Sequence, residues 1–147
     1  YSEEELKSRC EIMLENYCKT IVIEANTMAN MAKTQILPAV EAYASDTARS
    51  AAAKKALDPA LACSYETGVV RRLSVLADRI AEKTEELETA LLSLGDAENV
   101  EAESAAIRDH VLGLMSELRL ACDEAETMTA KSYWPFPGYG DLLFSVH

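Results

Sequence analysis

A long run of regularly spaced apolar residues between Glu3 and about Ala44 constrains the fold of this chain more than any other stretch. These residues recur in steps of three and four, which return to one side of a helix with 3.6 residues per turn. They are Cys10, Leu14, Tyr17, Ile21, Ala25, Met28, Ala32, Ile36, Ala39 and Tyr43. An eleven-residue repeat of this kind keeps the stripe nearly straight. The pattern therefore predicts one long helix that other helices can follow for its whole length.

A second row of apolar residues lies beside this stripe and widens the apolar face of the same helix. Its members are Cys18, Val22, Ala29, Leu37 and Val40. One partner helix would not cover a face of this width, so we expect more than one helix to pack against it.

The composition favours an all-α fold. Of the 147 residues, 49% are hydrophobic, whereas Gly (5) and Pro (4) are scarce, which favours long helices over sheets. A chain of this length corresponds to one domain with a hydrophobic core of ordinary size.

The formal net charge of −11 indicates which partners the chain avoids. The acidic excess lies mostly between Ala81 and Ala130, and this half would repel phosphate backbones and anionic lipids. We therefore expect no nucleic-acid partner and no membrane partner. The sequence has no apolar run long enough to span a bilayer and no charged leader before a cleavage site, so we expect a cytoplasmic protein. The four cysteines lack metal-site spacing and are expected to be reduced thiols.

The first helix is predicted to run over about 3–57. Ser2 can cap its start, with Glu5 as the reciprocal partner. Pro38 removes one backbone hydrogen bond, which predicts a kink near this residue without a complete break. The cap-prone residues 45–47 indicate a possible break in the helix. A straight helix of this length exceeds the later ones, so one end should extend past them or bend.

Two short turn signals divide the rest of the chain. Asp58-Pro59 predicts a second helix over about 59–94, because Asp58 can cap a helix whose first residue is a proline. The apolar seam of this helix is predicted at Leu61, Tyr65, Val69, Leu73, Leu76, Ile80, Leu87, Leu91 and Leu94, with Lys83 or Thr84 interrupting its middle. Gly95-Asp96 predicts a tight connection to a third helix over about 97–132. Three helices joined in this way predict an up-down-up antiparallel bundle that makes a single domain of residues 1–147. Residues 133–147 are predicted to form a non-helical tail.

The sequence contains no recognisable catalytic, cofactor or metal motif. A di-iron bundle needs Glu-x-x-His pairs, whereas Ile107 stands three residues before His110. Gly-rich phosphate loops and nucleophile elbows do not occur. We interpret His110 as a boundary residue, the acidic cluster at 82–88 as a solvated surface and the methionines as core packing. We expect no catalytic residue, no metal site and no bound cofactor in this chain.

The tail is rich in aromatic residues. It holds the one tryptophan and both phenylalanines of the chain, and its prolines forbid a helix. Because such residues are rarely left in water, the tail either packs on its own bundle or docks on another domain or subunit. The residues themselves favour neither alternative. The candidate docking residues are Trp134, Pro135, Phe136, Pro137, Tyr139, Asp141, Leu142, Leu143 and Phe144.

Two stretches connect the chain to a known family: this tail, preceded by the acidic residues at 123–126, and the segment from Glu24 to Ala39 with its Met28, Met31 and Pro38. On these residues the sequence resembles the C-terminal helical domain of type III glutamine synthetases. The resemblance implies a cytoplasmic ligase that joins ammonia to glutamate with ATP and a divalent metal and is built as a double-ring oligomer. The residues of this family that bind nucleotide, metal and ammonium lie in an upstream catalytic region, so none is carried over to this chain.

The resulting hypothesis is a non-catalytic domain that supports folding or subunit assembly of the ligase. Its partners would be the catalytic region, which the tail contacts, and neighbouring subunits. The alternative is a free-standing helical module for protein–protein interaction, which binds through its acidic hairpin or its methionine-bearing face.

Overall fold

The computed structural model describes residues 2–137, and within this range all regular structure is helical. The first helical segment consists of α1 (Glu3–Met31), a π turn (Ala32–Ile36) and α2 (Leu37–Leu57). The second segment is α3 (Ser64–Ser93), which a 3₁₀ turn (Leu94–Asp96) follows. The third consists of α4 (Val100–Ala106), a second π turn (Ile107–Val111) and α5 (Leu112–Met128). The predicted all-α, up-down-up bundle with the longest helix first is confirmed.

The core forms along α3, which packs against α2 and against α5. Leucine and isoleucine side chains of α3 are buried, among them Leu73, Ile80 and Leu87. Alanines of the first segment belong to the same core, where small side chains let helices approach closely. Ala25, Ala29 and Ala32 are such residues. Apolar faces of the three helical segments therefore meet in one hydrophobic core.

The hydrogen bonding of the first segment changes just before Pro38, where the sequence predicts a kink. The Leu37 N–H donates to the Ala32 carbonyl, five residues back, and this closes the π turn. A π turn accommodates an extra residue and is one of the usual causes of a helix kink. The possible break at 45–47 is absent, since α2 continues to Leu57. The Thr47 hydroxyl donates to the Tyr43 carbonyl at 2.8 Å and so leaves the helical backbone intact.

The predicted start of the second helix at Pro59 is wrong, because α3 begins at Ser64. The Asp58 carboxylate accepts the Ala60 N–H at 3.0 Å, and the Leu61 N–H donates to the Asp58 carbonyl at 3.1 Å. Asp58 therefore closes a local turn instead of capping a helix. Cys63 has a positive φ of 51°, which separates this turn from α3.

The predicted bounds of the third helix also differ from the observed ones. Asn99 caps α4, with its side-chain oxygen accepting the Ala102 N–H at 2.8 Å, whereas Asp96 lies in the 3₁₀ turn. At the other end α5 stops at Met128, and Thr129 is extended. The Thr129 hydroxyl donates to the Ala125 carbonyl at 2.8 Å and satisfies one of the carbonyls at the helix end.

The amino-terminal half of α1 extends past the other helices, as its length predicts. None of its described side chains before Cys18 is buried. Cys10 and Tyr17, which belong to the predicted apolar stripe, are exposed for this reason. We call residues 3–17 the overhang.

Candidate docking site at the aromatic tail

The chain turns directly after α5 and begins the aromatic tail. The Tyr133 N–H donates to the Ala130 carbonyl at 2.9 Å, and the Trp134 N–H donates to the same carbonyl at 3.3 Å. These bonds set the direction in which the tail leaves the helix. We call residues 133–136 the tail root.

Tyr133 attaches the tail root to α2. Its hydroxyl donates to Oδ2 of Asp46 at 2.6 Å, and its ring centroid lies 5.1 Å from that of Tyr43. Arg49 binds the other oxygen of the same carboxylate. A hydrogen bond to a charged group is stronger than one between neutral groups, so this contact fixes the tail root on the surface of the bundle.

The Tyr133–Asp46 bond changes the acidity of both partners. The Tyr133 hydroxyl, together with the Arg49 guanidinium, lowers the pKa of Asp46 below its ordinary value of 3.8. The hydrogen bond that Tyr133 donates to Asp46 raises the pKa of Tyr133 above its ordinary value of 10.0, and the negative charge of Asp46 adds to this effect. Both shifts favour the form in which the hydroxyl donates to the carboxylate.

Trp134 and Phe136 pack against the hydrophobic core and remain half-buried. Their rings meet edge to face, with centroids 6.4 Å apart and planes at 75°. The indole Nε1 of Trp134 is buried and has no hydrogen-bond partner within residues 2–137. Pro135 and Pro137 are exposed. The beginning of the tail therefore packs on its own bundle and leaves one buried donor without an acceptor in the described part of the chain.

The remaining candidate docking residues lie outside the described residues. They are Tyr139, Asp141, Leu142, Leu143 and Phe144. The contact between Tyr133 and Asp46 was not predicted, because these residues are 87 positions apart and no local pattern joins them.

The tail root is expected to detach from α2 in acid. The folded-state pKa of Asp46 is lowered below 3.8. The stabilisation from the bond between Tyr133 and Asp46 is therefore fully present above about pH 3.8 and is lost as the pH falls through the folded-state pKa. The raised pKa of Tyr133 predicts a second loss in alkali, as the pH rises above 10.0 through the folded-state value. Fluorescence of Trp134, the one tryptophan of the chain, measures this detachment as a red shift.

Tyr133→Phe should show the red-shifted emission already at neutral pH. Tyr17→Phe is the matched control, because Tyr17 is exposed in the overhang. A pH profile of Tyr133→Phe that is identical to that of the unchanged chain would contradict the assigned contact.

The described part also holds titratable side chains away from the tail root, among them His110 and Cys122. Within residues 2–137 there is no group of three or more His, Cys, Asp or Glu residues that could hold a metal ion. His110 lines a groove of about 450 Å³ with Glu82, Glu85 and Glu86. Burial raises the pKa of the Cys122 thiol to about 11, which disfavours the reactive thiolate. No described helix is long and apolar enough to cross a membrane.

Several methionines line a groove, although their sequence pattern was interpreted as core packing and a methionine-bearing face is named only in the alternative function. Met28, Met31, Met115 and Cys122 line a groove of about 500 Å³ between α1 and α5, together with Ile36. We call it the methionine groove. Core packing accounts for Met115, which is buried, whereas Met28 and Met31 are half-buried at the edge of the groove. The spacing of Met28 and Met31 along one helix face was the available signal.

Fold and site together define the class of this chain: an all-α helical bundle domain whose aromatic tail begins against its own core. Residues 1–55 match the family model of the glutamine synthetase C-terminal domain. Over 147 residues the chain is 35% identical to a glutamine synthetase of Butyrivibrio fibrisolvens, and the match covers 99% of this chain and 21% of that protein. A type-3 glutamine synthetase of Dictyostelium discoideum is 28% identical over 148 residues, which cover 95% of this chain and 20% of that protein.

The chain belongs to the glutamine synthetase C-terminal domain family, as the resemblance of its sequence indicated. It spans about a fifth of the length of the curated relatives that it matches, 21% and 20%.

Proposed function

We propose that this chain is the non-catalytic C-terminal helical domain of a type III glutamine synthetase and that it supports folding or subunit assembly of the enzyme. In this proposal the tail, from Trp134 to Phe144, docks on the catalytic region of the same enzyme. The match over 99% of the chain to a glutamine synthetase favours this role over a free-standing interaction module.

One observation carries the docking proposal: the buried indole N–H of Trp134 has no acceptor within residues 2–137. A buried donor without an acceptor costs about 1–3 kcal/mol. An acceptor from the catalytic region would remove this cost, while Tyr133 holds the tail root in place for the contact. Half-buried aromatic side chains such as Trp134 and Phe136 are also the residues that dominate protein interfaces.

We infer the reaction of the parent enzyme from the family of the chain. We expect the enzyme to be cytoplasmic and to join ammonia to glutamate with ATP and a divalent metal. The groups that bind them would belong to the catalytic region, and this chain would contribute no ligand and no acid or base. The 147-residue chain alone should therefore show no ligase activity in an assay with ATP, glutamate and ammonia.

Substituting Trp134→Ala and Phe144→Ala together in the full enzyme should impair ring assembly and lower the ligase activity with it. Both changes remove apolar contact area and, at Trp134, the indole donor. Light scattering after size-exclusion chromatography measures the assembly, and glutamine formation measures the activity.

Leu92→Ala is the matched control, because Leu92 is among the most exposed apolar side chains of the bundle and lies on α3. The circular dichroism of the isolated chain with the double substitution shows whether the bundle still folds. Unchanged assembly and activity of the double variant would refute the docking role of the tail.

A further inference from the structure

A row of mostly exposed side chains runs along one side of α1, from the overhang into the methionine groove. We call this row the seam. Its positions follow in alternating steps of four and three residues, the repeat of a helix pair. They are Leu6, Cys10, Met13, Tyr17, Thr20, Glu24, Thr27 and Met31. All are exposed except Met31, which is half-buried in the groove. The first four are apolar and belong to the overhang, whereas Glu24, Thr27 and Met31 line the groove.

The described part of the chain leaves both halves of this seam open. The tail root lies against Tyr43 and Asp46. Leu6 lies 37 residues before Tyr43, which corresponds to about 55 Å along a helix. The tail root therefore lies far from the overhang.

The seam has the symmetry that pairing with a second copy requires. Its alternating steps of four and three read the same from either end, so an antiparallel copy of α1 can lie on it in register. Leu6 then faces Met31 of the second copy, and Tyr17 faces Thr20 of the second copy. An interface around a two-fold axis is self-complementary in this way, because the same patch occurs on both partners.

The two halves of the seam differ in character, because its positions in the overhang are apolar and the other half lines a groove. In the antiparallel register, the apolar overhang of each copy enters the methionine groove of the other. A helix laid in an apolar groove is a common mode of recognition, and methionine side chains adapt readily to the surface that enters. Each copy receives one helix and supplies one, so the contact forms twice.

The charges at the outer ends of the two halves agree with this register, whereas in its middle Glu24 faces Met13 of the second copy. The first turn of α1 carries Glu3, Glu4 and Glu5. When Leu6 faces Met31 of the second copy, these carboxylates come to the end of the groove that holds Ile36. Arg119 lines the same groove, and within residues 2–137 it makes no ion pair. An acidic helix start beside an unpaired arginine favours this orientation.

We propose that two copies of this chain form a symmetric dimer in which the overhang of each occupies the methionine groove of the other. This pairing does not involve the tail, so it can be tested apart from the proposed docking on the catalytic region.

Sedimentation velocity of the 147-residue chain in the micromolar range should show a species of twice the 16.1 kDa monomer mass. Met13→Glu places a charge in the apolar half of the seam and should weaken dimerisation by about tenfold or more. Ile12→Glu is the matched control, because Ile12 is similarly exposed, at 54% against 70% for Met13, but points away from the seam. It should dimerise like the unchanged chain. Both sites are exposed, so both variants should fold, which circular dichroism checks.

Cross-linking tests the register directly. In the dimer Cys10 faces Thr27 of the second copy, so a short bis-maleimide should link Cys10 to position 27 in the Thr27→Cys variant and produce covalent dimers. Asn26→Cys, one residue away from the seam, should give few. A monomeric chain, a dimer that persists unchanged in Met13→Glu, or equal cross-linking at positions 26 and 27 would each overturn the proposal.

Discussion

Leu118→Ala is expected to lower the free energy of unfolding by about 2–5 kcal/mol. The Leu118 side chain is fully buried, at 0% exposure, and belongs to the core that α5 forms with α3. The substitution removes the transfer free energy of the lost methyl and methylene groups and leaves a cavity that surrounding helices fill only in part. A domain of this size is stabilised by only about 5–15 kcal/mol in total, so the loss is a large fraction.

Leu120→Ala makes the same chemical change two residues along the same helix. Its side chain is 70% exposed, so the expected change is within about 0.5 kcal/mol. Urea denaturation followed by circular dichroism measures both values. Similar losses in the two variants would show that α5 does not present this face to α3.

The faces of the helices could be predicted well because burial follows their apolar periodicity. In α3 the predicted seam positions Leu73, Leu76 and Ile80 are all buried. The first segment was harder, because an apolar stripe indicates which side of a helix seeks a partner but not how far the partner extends. Ala25 is buried at such a position, whereas Cys10 of the same stripe is exposed in the overhang.

The exact residues at which the helices begin and end could not be predicted, because a side chain suited to capping a helix can instead close a local turn. Asp58 and Asn99 both follow the preference for short polar residues at helix starts. Asp58 closes a turn with Ala60, and only Asn99 caps a helix. The choice depends on where α3 and α4 can pack, which the local sequence does not encode.

The candidate site could be predicted from the sequence only in part. Composition singled out the aromatic tail, and the structure places Trp134 and Phe136 against the core. The attachment through Tyr133 and Asp46 arises because the fold brings α2 beside the end of α5, and no periodicity reports such a contact. The methionine groove has the same origin, since it exists only between two helices that are distant in the chain.

Thr84→Asp is expected to destabilise the chain by about 3–5 kcal/mol at neutral pH, because it leaves an uncompensated charge in the core. Thr84 interrupts the predicted seam of α3, yet only 2% of it is exposed. It is tolerated there because its hydroxyl donates to the Ile80 carbonyl at 2.7 Å, so no polar group is left without a partner. A carboxylate has no proton to donate to this carbonyl.

The destabilisation should depend on pH with a definite sign. Burial raises the pKa of a carboxyl group, so the folded variant holds its proton to a higher pH than the unfolded chain does. Its loss of stability, relative to the unchanged chain, therefore grows as the pH rises above about 4, the ordinary value for aspartate. Ser74→Asp, at an exposed position of the same helix, should show neither the loss nor this pH dependence. Denaturation of the two variants at acid and neutral pH separates a buried position 84 from a solvated one, because only burial couples the charge to folding.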